Sequence, residues 1–111
     1  KGLEDVKTQI SGNTAVVRSD VTSTGGAYAS FSLNMPRGFT SENCYIKSCM
    51  AKMVSGTGFK NDWVYGAKVS NLYTIGCSLK SDNTIYVILQ GDSGGIKGNL
   101  KLMVVLEKLE E

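Results

Sequence analysis

The stretch NLKLMVVLEKL, residues 99–109, decides how this chain folds. Leu100, Leu102, Val104 and Leu106 recur at every second residue, the spacing that puts side chains on one face of a β-strand. Met103 and Val105 fall on the opposite face, and they are apolar as well. TIYVILQ at 84–90 repeats the pattern, with Ile85, Val87 and Leu89 on one face and Tyr86 and Ile88 on the other. A strand in a two-layer β-protein normally has one face in the core and one in water. Two apolar faces require a second burial surface. In a chain without a covering helix, that surface is either a lid made by curled strands or, more simply, another copy of the chain.

Working outward, a period of two runs through most of the sequence. In TAVVRSDV, Ala15, Val17 and Val21 share one face, and Arg18 and Asp20 share the other. In AYASFSL, Ala27, Ala29, Phe31 and Leu33 lie opposite Tyr28, Ser30 and Ser32. The turn formers TSTGG separate these two segments. After the loop MPRGFTSEN, which holds the only proline, NCYIKSCMAKMV reads as a long strand. WVYGAKV is a candidate short strand, and LYTIGCSL joins TIYVILQ through the hairpin turn KSDN. About seven regularly spaced strands predict an all-β, antiparallel β-sandwich or jelly roll.

The first dozen residues read differently. Leu3, Val6 and Ile10 follow the three-then-four spacing of a coiled-coil seam. They predict a short helical stub or linker over 1–12, stopped by Gly12-Asn13, ahead of a β-domain over 13–111. A segment this short is not helical alone in water, so it would be a frayed end or the last turns of a longer coiled coil.

Length and composition narrow the function classes. A chain of 111 residues fits one domain able to bury its own core. Twelve Lys and Arg against ten Asp and Glu, with no basic cluster, argue against nucleic-acid binding. No apolar run approaches a membrane span, no signal peptide is recognisable, and the chain begins at Lys1, so membrane insertion is not expected and a piece of a longer chain is. GDSGG at 91–95 matches the nucleophile motif of trypsin-like proteases, yet the chain has no histidine to take a proton from Ser93. A glycine-rich turn accounts for those five residues, and no catalytic residue is expected. Asp62, Asp82 and Asp92 lie in turns, where solvated capping is their ordinary role.

The three cysteines, Cys44, Cys49 and Cys77, cannot pair completely. Cys44 and Cys49 are five apart in one strand, which predicts opposite faces and no bridge between them. The set lacks metal-ligand spacing, so no metal and no cofactor are expected. Free, buried thiols in a reducing cytosol are the simple expectation; if a bridge forms, Cys49 with Cys77 is its natural pairing.

The best candidate ligand contact is GFKNDWVYG, with Asn61, Asp62, Trp63 and Tyr65 at its centre. An indole can stack on a sugar ring while Asn and Asp bond its hydroxyls. The other role open to Trp63 is a core anchor whose N–H bonds the backbone.

A coiled-coil seam, a glycine stop and a small β-domain, in that order, resemble a trimeric phage tail-fibre or receptor-binding protein. PRGFTSENCYIKSCMAKM, then Trp63, IYVILQ and IKGNLKLMVVLEKL, are similar to the C-terminal tip domains of tail proteins from phages and prophages of Gram-positive hosts. The likeness covers most of the chain as a pattern. It implies a homotrimer on the virion tail, made in the bacterial cytoplasm, that binds a host cell-wall polysaccharide or surface protein. Its expected trimer contacts are Leu3, Val6 and Ile10 in the seam, with Tyr86, Ile88, Met103 and Val105 from the doubly apolar strands. A purely structural trimerising cap and a monomeric carbohydrate-binding domain are the alternatives.

Overall fold

The computed structural model describes residues 3–25, 28–57, 63–65, 73–91 and 97–109. Among them are β1 (Lys7–Ser11), β2 (Thr14–Thr24), β3 (Tyr28–Asn34) and β4 (Cys44–Thr57). They are followed by β5 (Trp63–Tyr65), β6 (Tyr73–Leu79), β7 (Thr84–Gly91) and β8 (Lys97–Lys108). The strands form two antiparallel sheets, β1-β2-β8-β4-β5 and β3-β7-β6. The all-β, antiparallel expectation holds, and β2, β3, β4, β6, β7 and β8 fall where the period of two placed them.

One core lies between the sheets. Ala15, Val17 and Val21 of β2, Ala51 and Met53 of β4, and Leu100, Leu102, Val104 and Leu106 of β8 are buried on the larger sheet. Ala29, Phe31 and Leu33 of β3 meet them from the smaller sheet, with Ile85, Val87 and Leu89 of β7. β8 and β7 hold the middle of their sheets, which explains why their core faces are unbroken apolar runs. Asn83 in the predicted KSDN turn takes a left-handed φ of 64°, a conformation asparagine tolerates. Lys80 N–H donates to Thr84 O and Asn83 N–H to Lys80 O, closing that hairpin.

The helical stub is not what the N-terminus forms. Lys7–Ser11 is an edge strand paired residue for residue with β2, from Lys7 opposite Arg18 to Ser11 opposite Thr14. Gly12-Asn13 is a two-residue hairpin turn with Gly12 at φ 60°, so the predicted helix stop is instead the β-turn that starts the sheet. A short helix would leave its orphan backbone groups in water, whereas this strand finds a waiting edge. Before it, Glu4 bridges to Leu33 and donates its N–H to Ser32 O on β3. The buried Ser19 hydroxyl donates to Asp5 O at 2.5 Å. The segment therefore crosses from the edge of one sheet to the edge of the other and clasps that side of the core, with Val6 packed inward. Leu3 and Ile10 stay about half exposed, at 49% and 46%.

β4 corrects a second expectation. The register against β8 slips between Ile46 and Ser48, so Lys47 is an extra, bulged residue. Parity reverses there. Cys44 is buried and Ile46 packs on the core before the bulge; Cys49 does so after it. Cys44 and Cys49 thus share the core face instead of lying on opposite ones. A second slip between Met53 and Ser55 leaves Val54 exposed and leads to Gly56, which faces Gly98 of β8.

Candidate interaction surface

The doubly apolar strands place their second faces on opposite outer surfaces of the molecule. On the larger sheet, Met103 lies between Arg18 of β2 and Met50 of β4, and Val105 lies between Val16 of β2 and Ser48 of β4. Val16, Met50, Met103 and Val105 are all half-buried by their neighbours alone. They make one contiguous apolar patch spanning three strands. Polar residues surround it: Lys101 pairs with Asp20 at 3.5 Å, Lys47 with Glu107 at 3.0 Å, and Arg18 Nη2 donates to Gln9 Oε1 at 3.2 Å. The hydrogen bond that Lys47 makes to Glu107 raises the lysine's pKa. A shallow groove beside the patch, lined by Lys7, Gln9, Arg18, Asp20, Lys101 and Met103, carries both signs of charge.

The smaller sheet is different. Ile88 lies between Ser30 of β3 and Gly76 of β6, and Tyr86 between Ser32 and Ser78. Lys80 Nζ sits 4.4 Å above the Tyr86 ring, a cation–π contact that caps its face. Two large side chains therefore stand among serines and a glycine.

The expected contact residues consequently do not form one surface. Met103 and Val105 are brought together; Tyr86 and Ile88 lie on the far side; Leu3 and Ile10 are edge residues; and Val6 belongs to the clasp. Sequence reasoning missed Val16 and Met50. Val16 was legible as the odd member of TAVV, but Met50 was hidden, because the bulge breaks the alternation that would have placed it.

Of the expected ligand contacts, Asn61 and Asp62 lie outside the described residues, as do Ser93 and the rest of its motif beyond Gly91. Trp63 and Tyr65 belong to β5, where Trp63 is in register with Lys52 and Tyr65 with Met50. Asp82 accepts a hydrogen bond from Thr84 Oγ1 at 2.6 Å inside the β6–β7 turn, the capping role expected of it. Among the described residues no group of Cys, Asp and Glu is placed to hold a metal ion. Among the same residues no helix is long and apolar enough to cross a membrane. No family model, curated protein or solved structure matches the chain.

Proposed function

We propose that this chain is a non-enzymatic tip domain of a phage or prophage tail fibre. It assembles as a homotrimer through the outer face of its larger sheet and presents loops to a host surface polysaccharide or protein. The observation that carries the assembly is the patch of Val16, Met50, Met103 and Val105. Contiguous apolar side chains on a sheet face, rimmed by polar groups, are characteristic of contact surfaces. The rim favours close approach, because its Lys101–Asp20 and Lys47–Glu107 ion pairs are already made within one chain. Completing the burial of each half-buried side chain contributes about 1 kcal/mol. Four per copy are of the order of the entropy that association costs. The patch sets where copies meet, and the sequence resemblance sets their number at three. We also read the strand path as jelly-roll-like, since second and last strands pair in one sheet and third and seventh in the other.

Substituting one charged residue on each outer face distinguishes the surfaces. Val105→Glu places an unpaired carboxylate in the contact and should dissociate the trimer. Ile88→Glu, on the smaller sheet, should leave the trimer intact. Dissociation by Ile88→Glu and not by Val105→Glu would move the contact to the other face. For the receptor, Trp63 fluorescence should shift when host cell-wall polysaccharide is added, and Trp63→Ala should weaken binding. A folded protein with unchanged fluorescence at saturating glycan would leave the structural cap as the better reading.

A further inference from the structure

We propose that Cys49 and Cys77 are a modification site: an oxidation-dependent disulfide that staples the two sheets together. Cys49 lies on β4 of the larger sheet and Cys77 on β6 of the smaller one. β4 and β6 run against each other on the side of the core opposite the N-terminal clasp. The bulge at Lys47 turns Cys49 inward, and the pairing of Cys77 with Val87 turns it toward the same core. Both are half-buried free thiols, hydrogen-bonded to each other across the gap between sheets. That bond lowers the Cys77 pKa against the opposing effect of burial, and it raises the Cys49 pKa together with burial. Cys77 is thus the nucleophile and Cys49 the resolving thiol.

Cys44 is not part of this arrangement. It is buried, its S–H donates to Thr40 O at 3.1 Å, and it lies roughly 15 Å from Cys49 along the strand.

A small-molecule disulfide of the oxidised-glutathione class is a sufficient oxidant. The Cys77 thiolate attacks one of its sulfurs, forming a mixed disulfide and expelling one thiolate. Cys49 gives up its proton to solvent base and attacks the Cys77 sulfur, expelling the second thiolate. Two protein thiols become one disulfide, and the oxidant becomes two thiols. The product ties the edge of the smaller sheet to the larger one, as the clasp already does on the opposite side. A protein made in a reducing compartment and used outside it would pass from the first state to the second. Neither thiol lies in the patch on the larger sheet, so this site stands or falls apart from trimer formation.

The test is to incubate the folded, reduced protein with oxidised glutathione, quench in acid, and count thiols in denaturant. The unmodified chain should keep one thiol of its three. Peptide mapping should join the segments holding Cys49 and Cys77 and recover Cys44 unmodified. Cys44→Ser should form the same bridge, whereas Cys49→Ser should stop at the mixed disulfide on Cys77. The oxidised protein should melt on the order of 10 °C higher, since the bridge closes a long loop. Retention of all three thiols, a bridge to Cys44, or disulfide-linked chains in place of an internal bridge would each overturn the proposal. Because the count and the map use the unmodified chain, a variant that fails to fold does not protect it.

Discussion

Gly56 and Gly98 show how much single residues can fix in this sheet. They face each other across β4 and β8, at φ 99° and 133°. A Cβ on Gly56 would run into the Lys97 carbonyl, and one on Gly98 into the Ser55 carbonyl. Backbone cannot yield as a side-chain tip can, so Gly98→Ala should destabilise the fold by about 3 kcal/mol or more. Gly12→Ala is the control. Its φ is 60° and nothing lies within 4 Å of a new Cβ, so only the left-handed penalty of about 1 kcal/mol applies. Urea denaturation of both variants checks the contrast. The thiols give a second prediction at this scale. Burial raises the Cys44 pKa above its ordinary 9.0, partly offset by Lys108, while the bond from Cys49 lowers that of Cys77. At pH 8, iodoacetamide should therefore alkylate Cys77 before either Cys44 or Cys49. The sign for stability follows: a raised thiol pKa contributes fully below pH 9.0 and is lost as pH climbs past the folded-state value.

Among the strands, β4 carries the feature that alternation could not reveal. Removing Lys47 would erase the bulge and restore strict alternation, turning either Cys44 and Ile46 or Cys49, Ala51 and Met53 out of the core. Deletion of Lys47 should cost about 3 kcal/mol or unfold the domain. Lys47→Ala keeps the residue count and removes only an exposed ion pair, so its urea midpoint should stay close to that of the unmodified protein. The sequence made the strands legible because β2, β3, β7 and β8 each bury one strictly alternating face. It concealed the two slips in β4, since a bulge has no residue signature of its own. It also misplaced β1. Leu3, Val6 and Ile10 fit a helical seam by spacing, but a seam needs partner helices, and the edge of β2 was available at shorter range. The candidate surface was half legible: Met103 and Val105 followed from period alone, while Val16 and Met50 needed the cross-strand register.

For the whole molecule, the two outer faces pose different problems in water. The smaller sheet dilutes Ile88 and Tyr86 among Ser30, Ser32, Gly76 and Ser78, and Lys80 covers the tyrosine ring. The larger sheet gathers its apolar side chains at the centre and keeps the Lys101–Asp20 and Lys47–Glu107 ion pairs at the margin. On the function proposed above, assembly uses the larger sheet, and the loops at the ends of the strands are left for a ligand. Sedimentation equilibrium of the reduced, unmodified protein tests this assignment most directly. Three times the chain mass is expected at micromolar concentration, falling to one chain mass for Val105→Glu with the β-spectrum retained. A single chain mass for the unmodified protein, at every concentration accessible, would contradict it.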